Sequence, residues 1–235
     1  MTAKALLLAA GKSTRIAQVA DHKPKVLLEV SGKPVLFHNL NLLESHGVRE
    51  VYINLHYGAD QIAKAVGKGE KWNLSVQYSH EKELLGTSGA LKALEKKFTG
   101  SDFFVLYGDN YTDCNLMDLM NAHKNSGAAV TLALFDPAKT RNSGIAGGKV
   151  AVDKDGFIKK FKEGKAGGGN LVNSGIYAVN PSVLKEIPEG FSDFGKDIFP
   201  ALLAKGQNLF SFLITGFCYG IDTPEAFANA PGARA

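Results

Sequence analysis

The most constraining feature of this chain is the short apolar run Ala5–Ala10, which passes directly into the small-residue loop Gly11-Lys12-Ser13-Thr14-Arg15. A continuous apolar run, unlike an alternating one, marks a strand buried on both faces, as in a parallel sheet. Such a sheet needs helices between its strands, and the following sequence supplies them. Pro34 opens a helix that carries Val35, Leu36, Leu40 and Leu43 and closes near Gly47. Val51–Leu55 is the next strand, followed by a helix over Ala59–Val66. Strands at Ser75–Tyr78, Phe103–Tyr107 and Val130–Phe135 alternate with two more helices. Leu91, Leu94 and Phe98 mark the first of these, and Leu116, Leu119, Met120 and His123 the second.

This βαβα order predicts an α/β fold, an open, mostly parallel Rossmann-like sheet with helices on both faces. The rhythm changes after Pro137. Residues 140–170 are rich in Gly and Lys, with short strands at Lys149–Asp153 and Phe157–Phe161 about a turn at Asp155-Gly156. They read as a small β-rich insertion, before the pattern resumes at Leu171–Val179. At 235 residues and 45% hydrophobic, the chain is expected to form one domain over 1–235, with Ala230–Ala235 a frayed tail.

Composition excludes several function classes. A net charge of +4 without a block of like charges is no nucleic-acid or membrane footprint, though it suits small anionic substrates. No apolar run reaches membrane-spanning length, and the N-terminal one ends in glycine rather than in a signal-cleavage pattern. Cys114 and Cys218 stand far apart, as free thiols of a cytoplasmic protein would, and the six histidines lack zinc-site spacing.

In an open parallel sheet, ligands bind beyond the carboxyl ends of the strands. A small-residue loop there brings backbone N–H groups close to phosphates, and Lys12 and Arg15 add charge. The Gly11-Lys12-Ser13-Thr14 stretch imitates the end of a P-loop, but that motif needs glycine where Leu6 stands. The dinucleotide fingerprint G-x-G-x-x-G is also absent. Taken alone, the loop fits a plain strand-to-helix turn as well as a phosphate site.

A series of matches along the chain decides between them. L-A-A-G-K-S-T-R-I, with K-P-K-V-L-L-E-V-S-G-K-P after it, resembles the opening signature of the sugar-1-phosphate nucleotidylyltransferases. The segment from Ser79 to Gly89 is similar to that family's base-reading stretch. Gly108-Asp109, Phe161-Lys162-Glu163, Val172-Asn173-Ser174-Gly175-Ile176-Tyr177 and Ile221-Asp222-Thr223-Pro224-Glu225 follow in the family's order. The resemblance implies an enzyme that joins an NTP to a sugar 1-phosphate and releases pyrophosphate. It implies nucleotide contacts from Leu8, Ala9, Ala10, Gly11, Lys12, Ser13 and Thr14, and from Glu81, Gly86 and Thr87. Arg15 would hold the pyrophosphate and Lys25 would bridge the reacting phosphates. Asp109 and Asp222, each ending an apolar run, would share a Mg²⁺. Gly144, Glu163 and Asn173 would contact the sugar, and members of the family often form homodimers.

The nucleophile of such a reaction is already an anion, so positioning and charge neutralisation suffice and no catalytic triad is needed. Glu81 only accepts hydrogen bonds, which suits guanine, with its adjacent N1–H and 2-amino donors. This favours GTP with a mannose- or heptose-type sugar phosphate, and leaves uridylyl, thymidylyl and cytidylyl transfer open. Two departures stand out. Ser13 replaces a loop glycine, and Gly164 follows Glu163 where the family has lysine. They motivate a competing expectation, a weakly catalytic nucleotide-sensing domain.

Overall fold

The computed structural model describes residues 3–142, 145, 147–164 and 169–234. Nine strands form the main sheet: β1 Ala3–Leu8, β2 Val48–Leu55, β3 Ser75–His80, β4 Phe103–Tyr107, β5 Val130–Phe135, β6 Lys149–Val152, β7 Ile158–Lys162, β8 Leu171–Val179 and β9 Leu209–Leu213. β1 lies centrally, parallel to β2 and to β4, and β2 is parallel to β3. β8 runs antiparallel to β4 and β5, and β9 pairs parallel with β5. Only β7 and β8 oppose the common direction, so the expected mostly parallel α/β sheet is present.

Helices cover both faces, as the continuous apolar strands require. One face packs Ala5 and Leu7 with Leu36, Leu40, Ile62 and Leu119; the other packs Leu6, Tyr52 and Phe103 with Leu91, Phe199 and Leu202. The helices at Val35–Ser45, Ala59–Val66 and Leu116–Ser126 serve the first face, and those at Gly86–Ala93 and Phe199–Ala204 the second. Among the described residues no helix is long and apolar enough to cross a membrane.

Several boundaries differ from expectation for physical reasons. β1 stops at Leu8 because the Ala9 N–H leaves the ladder and donates to Asn54 Oδ1 at 2.8 Å. The β-rich segment does not stand apart: β6 pairs with β8 at Lys149–Val172 and so extends the main sheet. Its turn forms at Gly156, whose φ of 90° favours glycine, with Asp153 Oδ1 accepting from the N–H groups of Asp155 and Phe157. The expectation of a frayed tail is wrong over residues 230–234. Glu29 and Arg234 exchange backbone bonds of 3.0 and 2.9 Å, Ser31 N–H donates to Pro231 O, and Ala230 is buried beside Ile221 and Phe227.

A buried histidine gives the fold a pH dependence. His123 Nδ1 lies 3.0 Å from Thr131 Oγ1, and its Nε2 lies 3.9 Å from Asp102. Burial holds its pKa below the usual value despite Asp102. The unfolded chain therefore binds the extra proton first as pH falls, and stability drops once pH passes below about 6.5. Each unit of pH in that window costs up to about 1.4 kcal/mol. Urea melts at pH 7.5 and 5.5 should show this loss, and His123→Gln should shrink it. An unchanged loss in the variant would remove His123 as its source.

Candidate active site

β1 ends beside β4 on one side and β2 on the other, which is the point where the sheet's strand order reverses. The loops leaving β1 and β4 diverge there and open a crevice. It holds a cavity of about 310 Å³, bounded by Leu8, Ala9, Ala10 and Gly11 after β1, and by Tyr107 and Asp109 at the end of β4. Lys25, Arg15, Glu81, Gly86, Thr87 and Asp222 complete much of its wall. A smaller cavity of about 170 Å³ is lined by Gly11, Lys12, Ser13, Thr14, Arg15, Lys25 and Asp222. The two share Gly11, Arg15, Lys25 and Asp222.

Asp109 is placed by its neighbours. Gly108 N–H donates to Leu8 O at 2.9 Å, and a Cβ on Gly108 would lie 2.8 Å from that oxygen. Only glycine lets β4 leave the sheet so close to β1. Asn39 then donates to the carbonyls of both Gly108 and Asn110, at 3.2 and 3.0 Å, and so holds the backbone before and after Asp109. Lys25 is positioned from two directions. The Pro24 ring sits on Gly58, where a Cβ would be 2.2 Å away, and Lys25 N–H donates to Ser13 Oγ at 3.0 Å. Ser13 has φ 57°, the left-handed conformation that explains why glycine is usual at this step.

Four charged side chains converge here. Lys25 Nζ pairs with Asp109 Oδ2 and donates to Asp222 Oδ1 at 2.5 Å. Arg15 Nη2 lies 3.3 Å from the same Asp222 oxygen, with its guanidinium largely in solvent. Burial alone would pull the Lys25 ammonium down, but Asp109 and Asp222 hold it above the ordinary lysine value. Burial pushes Asp109 up more than Lys25 draws it down, with Asp222 adding to the rise. Asp222 is also buried, yet Lys25 and then Arg15 outweigh that and keep it low. Helix capping does not account for Asp222, because Thr223 Oγ1 is the cap of Pro224–Ala228, accepting from Ala226 N–H.

The other predicted residues divide. Glu81 lies in the cavity wall, 8% exposed. Its Oε1 accepts from Asn54 Nδ2 at 2.8 Å and its Oε2 from Leu85 N–H at 3.0 Å, leaving one lone pair on each oxygen. Gly86 and Thr87 line the cavity but also seat a distant loop: Thr87 N–H and Oγ1 both donate to Asp193 Oδ1. Glu163 and Asn173 lie outside the cavity wall. Glu163 is exposed, with Oε2 against Gly195, where a Cβ would be 2.3 Å away. Asn173 is buried and donates to Tyr177 OH while accepting from Gly175 N–H. Gly144 lies outside the described residues.

Asn39, Asn54, Tyr107 and Phe191 escaped the sequence reading. Asn39 and Asn54 carried a usable signal, since each interrupts an otherwise apolar helix face or strand. Tyr107 was hidden within an apolar strand; its buried phenol is pushed up to about 12 and stays neutral. Among the described residues no group of three or more His, Cys, Asp or Glu side chains could hold a metal on its own.

Comparison with known proteins gives the family of the chain. Residues 4–230 match the nucleotidyl transferase family. The chain is 34% identical over 228 residues to the mannose-1-phosphate guanylyltransferase catalytic subunit beta of Drosophila pseudoobscura pseudoobscura, covering 95% of this chain and 60% of that protein. It is 33% identical over 229 residues to the mannose-1-phosphate guanyltransferase of Aspergillus fumigatus, covering 95% and 62%. It thus spans about three fifths of the length of these relatives. The crystal structure of HddC from Yersinia pseudotuberculosis superimposes with a TM-score of 0.81 at 26% identity, over 97% of both chains. HddC complexed with GMP-PN gives 0.80. The chain belongs to the nucleotidyl transferase family.

Proposed function

We propose that this protein transfers a nucleotidyl group from GTP to a mannose- or heptose-type sugar 1-phosphate, giving a nucleotide sugar and pyrophosphate. The observation that carries this is Lys25, held between Asp109 and Asp222 where the two cavities join. A sugar-phosphate oxygen attacks the α-phosphorus, the bond from that phosphorus to the oxygen bridging the β-phosphate breaks, and pyrophosphate leaves with the electron pair. No proton need be removed, because the attacking oxygen is already anionic. Lys25 neutralises charge on the phosphates as they approach, and Arg15, on the rim of the smaller cavity, holds the departing pyrophosphate. The residues Gly11–Thr14 line that path, and backbone N–H groups of such a small-residue loop would meet the phosphate oxygens.

Asp109 and Asp222 fit a hard divalent cation such as Mg²⁺. They supply oxygen donors only and already converge on one cation, the Lys25 ammonium. Two carboxylates make a partial shell that substrate phosphates would complete. When bound, the ion would add positive charge opposite the phosphate oxygens. Glu163, Asn173 and Gly144 remain the sugar-side candidates, and residues 1–235 read as a single transferase domain with 140–170 as its sugar-side insertion. The two free thiols are buried, which fits a cytoplasmic enzyme.

The guanine preference rests on Glu81 and on relatives named as guanylyltransferases. It is tested by supplying each of the four NTPs with Mg²⁺ and a panel of hexose and heptose 1-phosphates, and identifying the nucleotide sugar by mass spectrometry. GTP with a manno-configured phosphate should dominate; no product with any pair would end the proposal. Glu81→Gln replaces one accepting oxygen with a donor facing Asn54, Leu85 or the base. A hydrogen bond to a charged group contributes about 1.5–3 kcal/mol, so the GTP-over-UTP preference should fall about ten- to a hundredfold. An unchanged ratio of kcat/KM values would take base reading away from Glu81.

A further inference from the structure

Phe191 is the most exposed of the large hydrophobic side chains among the described residues, at 64%, yet it lines the main cavity. Its exposure is imposed by a rigid mount. Ser192 O accepts from the N–H groups of Ser88 and Gly89 at 3.0 and 3.1 Å, and Ser192 N–H donates to Leu85 O at 3.0 Å. Ser88 Oγ donates to Ser192 Oγ at 2.8 Å, and Asp193 Oδ1 is held by Thr87.

The first turn of the helix at Gly86–Ala93 is shaped to receive this loop. A Cβ on Gly86 would lie 2.4 Å from Ser192 O, and one on Gly89 would lie 2.2 Å from Gly190 O. The Gly86-Thr87-Ser88-Gly89 stretch therefore carries the loop, and the loop carries an aromatic ring at the cavity mouth. This mount follows directly on the Glu81–Leu85 segment, and the sugar-side candidates Glu163 and Asn173 do not line the cavity. The nucleoside end of the cavity is thus the part next to the ring.

We infer that Phe191 is a substrate-contacting residue that covers the apolar face of the nucleoside of the bound NTP. The inference rests on the transferase reading above. A flat base read along its edge by Glu81 still exposes its π-face, and an aromatic side chain on such a face contributes about 1–3 kcal/mol, or roughly 5- to 150-fold in affinity.

Calorimetry of each Mg²⁺–NTP with the wild-type protein and with Phe191→Ala, Phe191→Leu and Phe191→Tyr tests it directly. Phe191→Ala should weaken the preferred NTP by about tenfold or more, Phe191→Leu should fall between, and Phe191→Tyr should restore binding. In steady-state assays KM for that NTP should rise, while kcat and KM for the sugar phosphate move less than about twofold. Because the ring is exposed, thermal midpoints should not change. Equal NTP affinities in wild type and Phe191→Ala, or a change confined to the sugar-phosphate KM, would overturn the inference. Binding of an NTP other than GTP would revise the base assignment and leave Phe191 tested on the nucleotide that binds. Failure of every NTP to bind would overturn both.

Discussion

Lys25→Ala should lower kcat/KM by at least about 10³-fold and also lower the melting temperature. The first effect follows because Lys25 is the buried cation between the two cavities, where the reacting phosphates meet in the proposed reaction. Arg15 cannot take its place: it is largely exposed and, among the described residues, its ion pair is with Asp222 alone. The second effect follows because removal leaves Asp109 and Asp222 facing each other without the ammonium between them. Losing one partner of a buried ion pair costs about 3–5 kcal/mol. Added Mg²⁺ should recover more of the melting temperature in Lys25→Ala than it adds to the wild type, since the vacated position suits a cation. Thermal melts with and without Mg²⁺, beside initial rates, check both effects. Activity within tenfold of wild type would contradict the role given to Lys25.

Asp109→Asn should separate activity from stability. The side chain keeps its volume but loses the charge that holds Lys25 and would hold the metal, so kcat should fall by about 10²- to 10⁴-fold. Raising Mg²⁺ should not restore it. Stability should change much less than in Lys25→Ala. The neutral side chain removes the burial penalty on the Asp109 charge, and Lys25 keeps its contact with Asp222. A melting temperature closer to wild type than that of Lys25→Ala, with kcat lost, is the expected pair of results. Retained kcat would show that Asp109 is structural.

The contrast between Asp109 and Phe191 shows what the sequence could and could not reveal. Asp109 ends a buried strand after a glycine, and strand ends in this fold class face the ligand crevice. Its position was therefore legible from local pattern. Lys25 was legible through the K-P-K stretch that resembles the family's opening signature, although its second anchor, the left-handed Ser13, was not. Phe191 lies about 100 residues beyond the helix that carries its loop, in a stretch without periodicity. Only tertiary contacts bring it to the cavity.

The same limit applies to the fold. Continuous apolar runs made β1, β2 and β4 readable. The antiparallel entry of β8, and its change of partner from β6 to β4 across Asn173–Gly175, depend on pairings between distant segments. The C-terminal segment reads as a tail because its residues are mostly small and show no periodicity. It is ordered by backbone bonds to Glu29 and Ser31, which no side-chain pattern announces.

Nucleotidyl transfer at the α-phosphorus, as proposed, is tested by isotope routing. The protein is incubated with Mg²⁺, mannose 1-phosphate and GTP labelled in parallel reactions at the α- and γ-phosphorus. The α-label should appear in the nucleotide sugar and the γ-label in pyrophosphate, in equal amounts. Release of the γ-label as inorganic phosphate, or an α-label that stays in free nucleotide, would contradict the account.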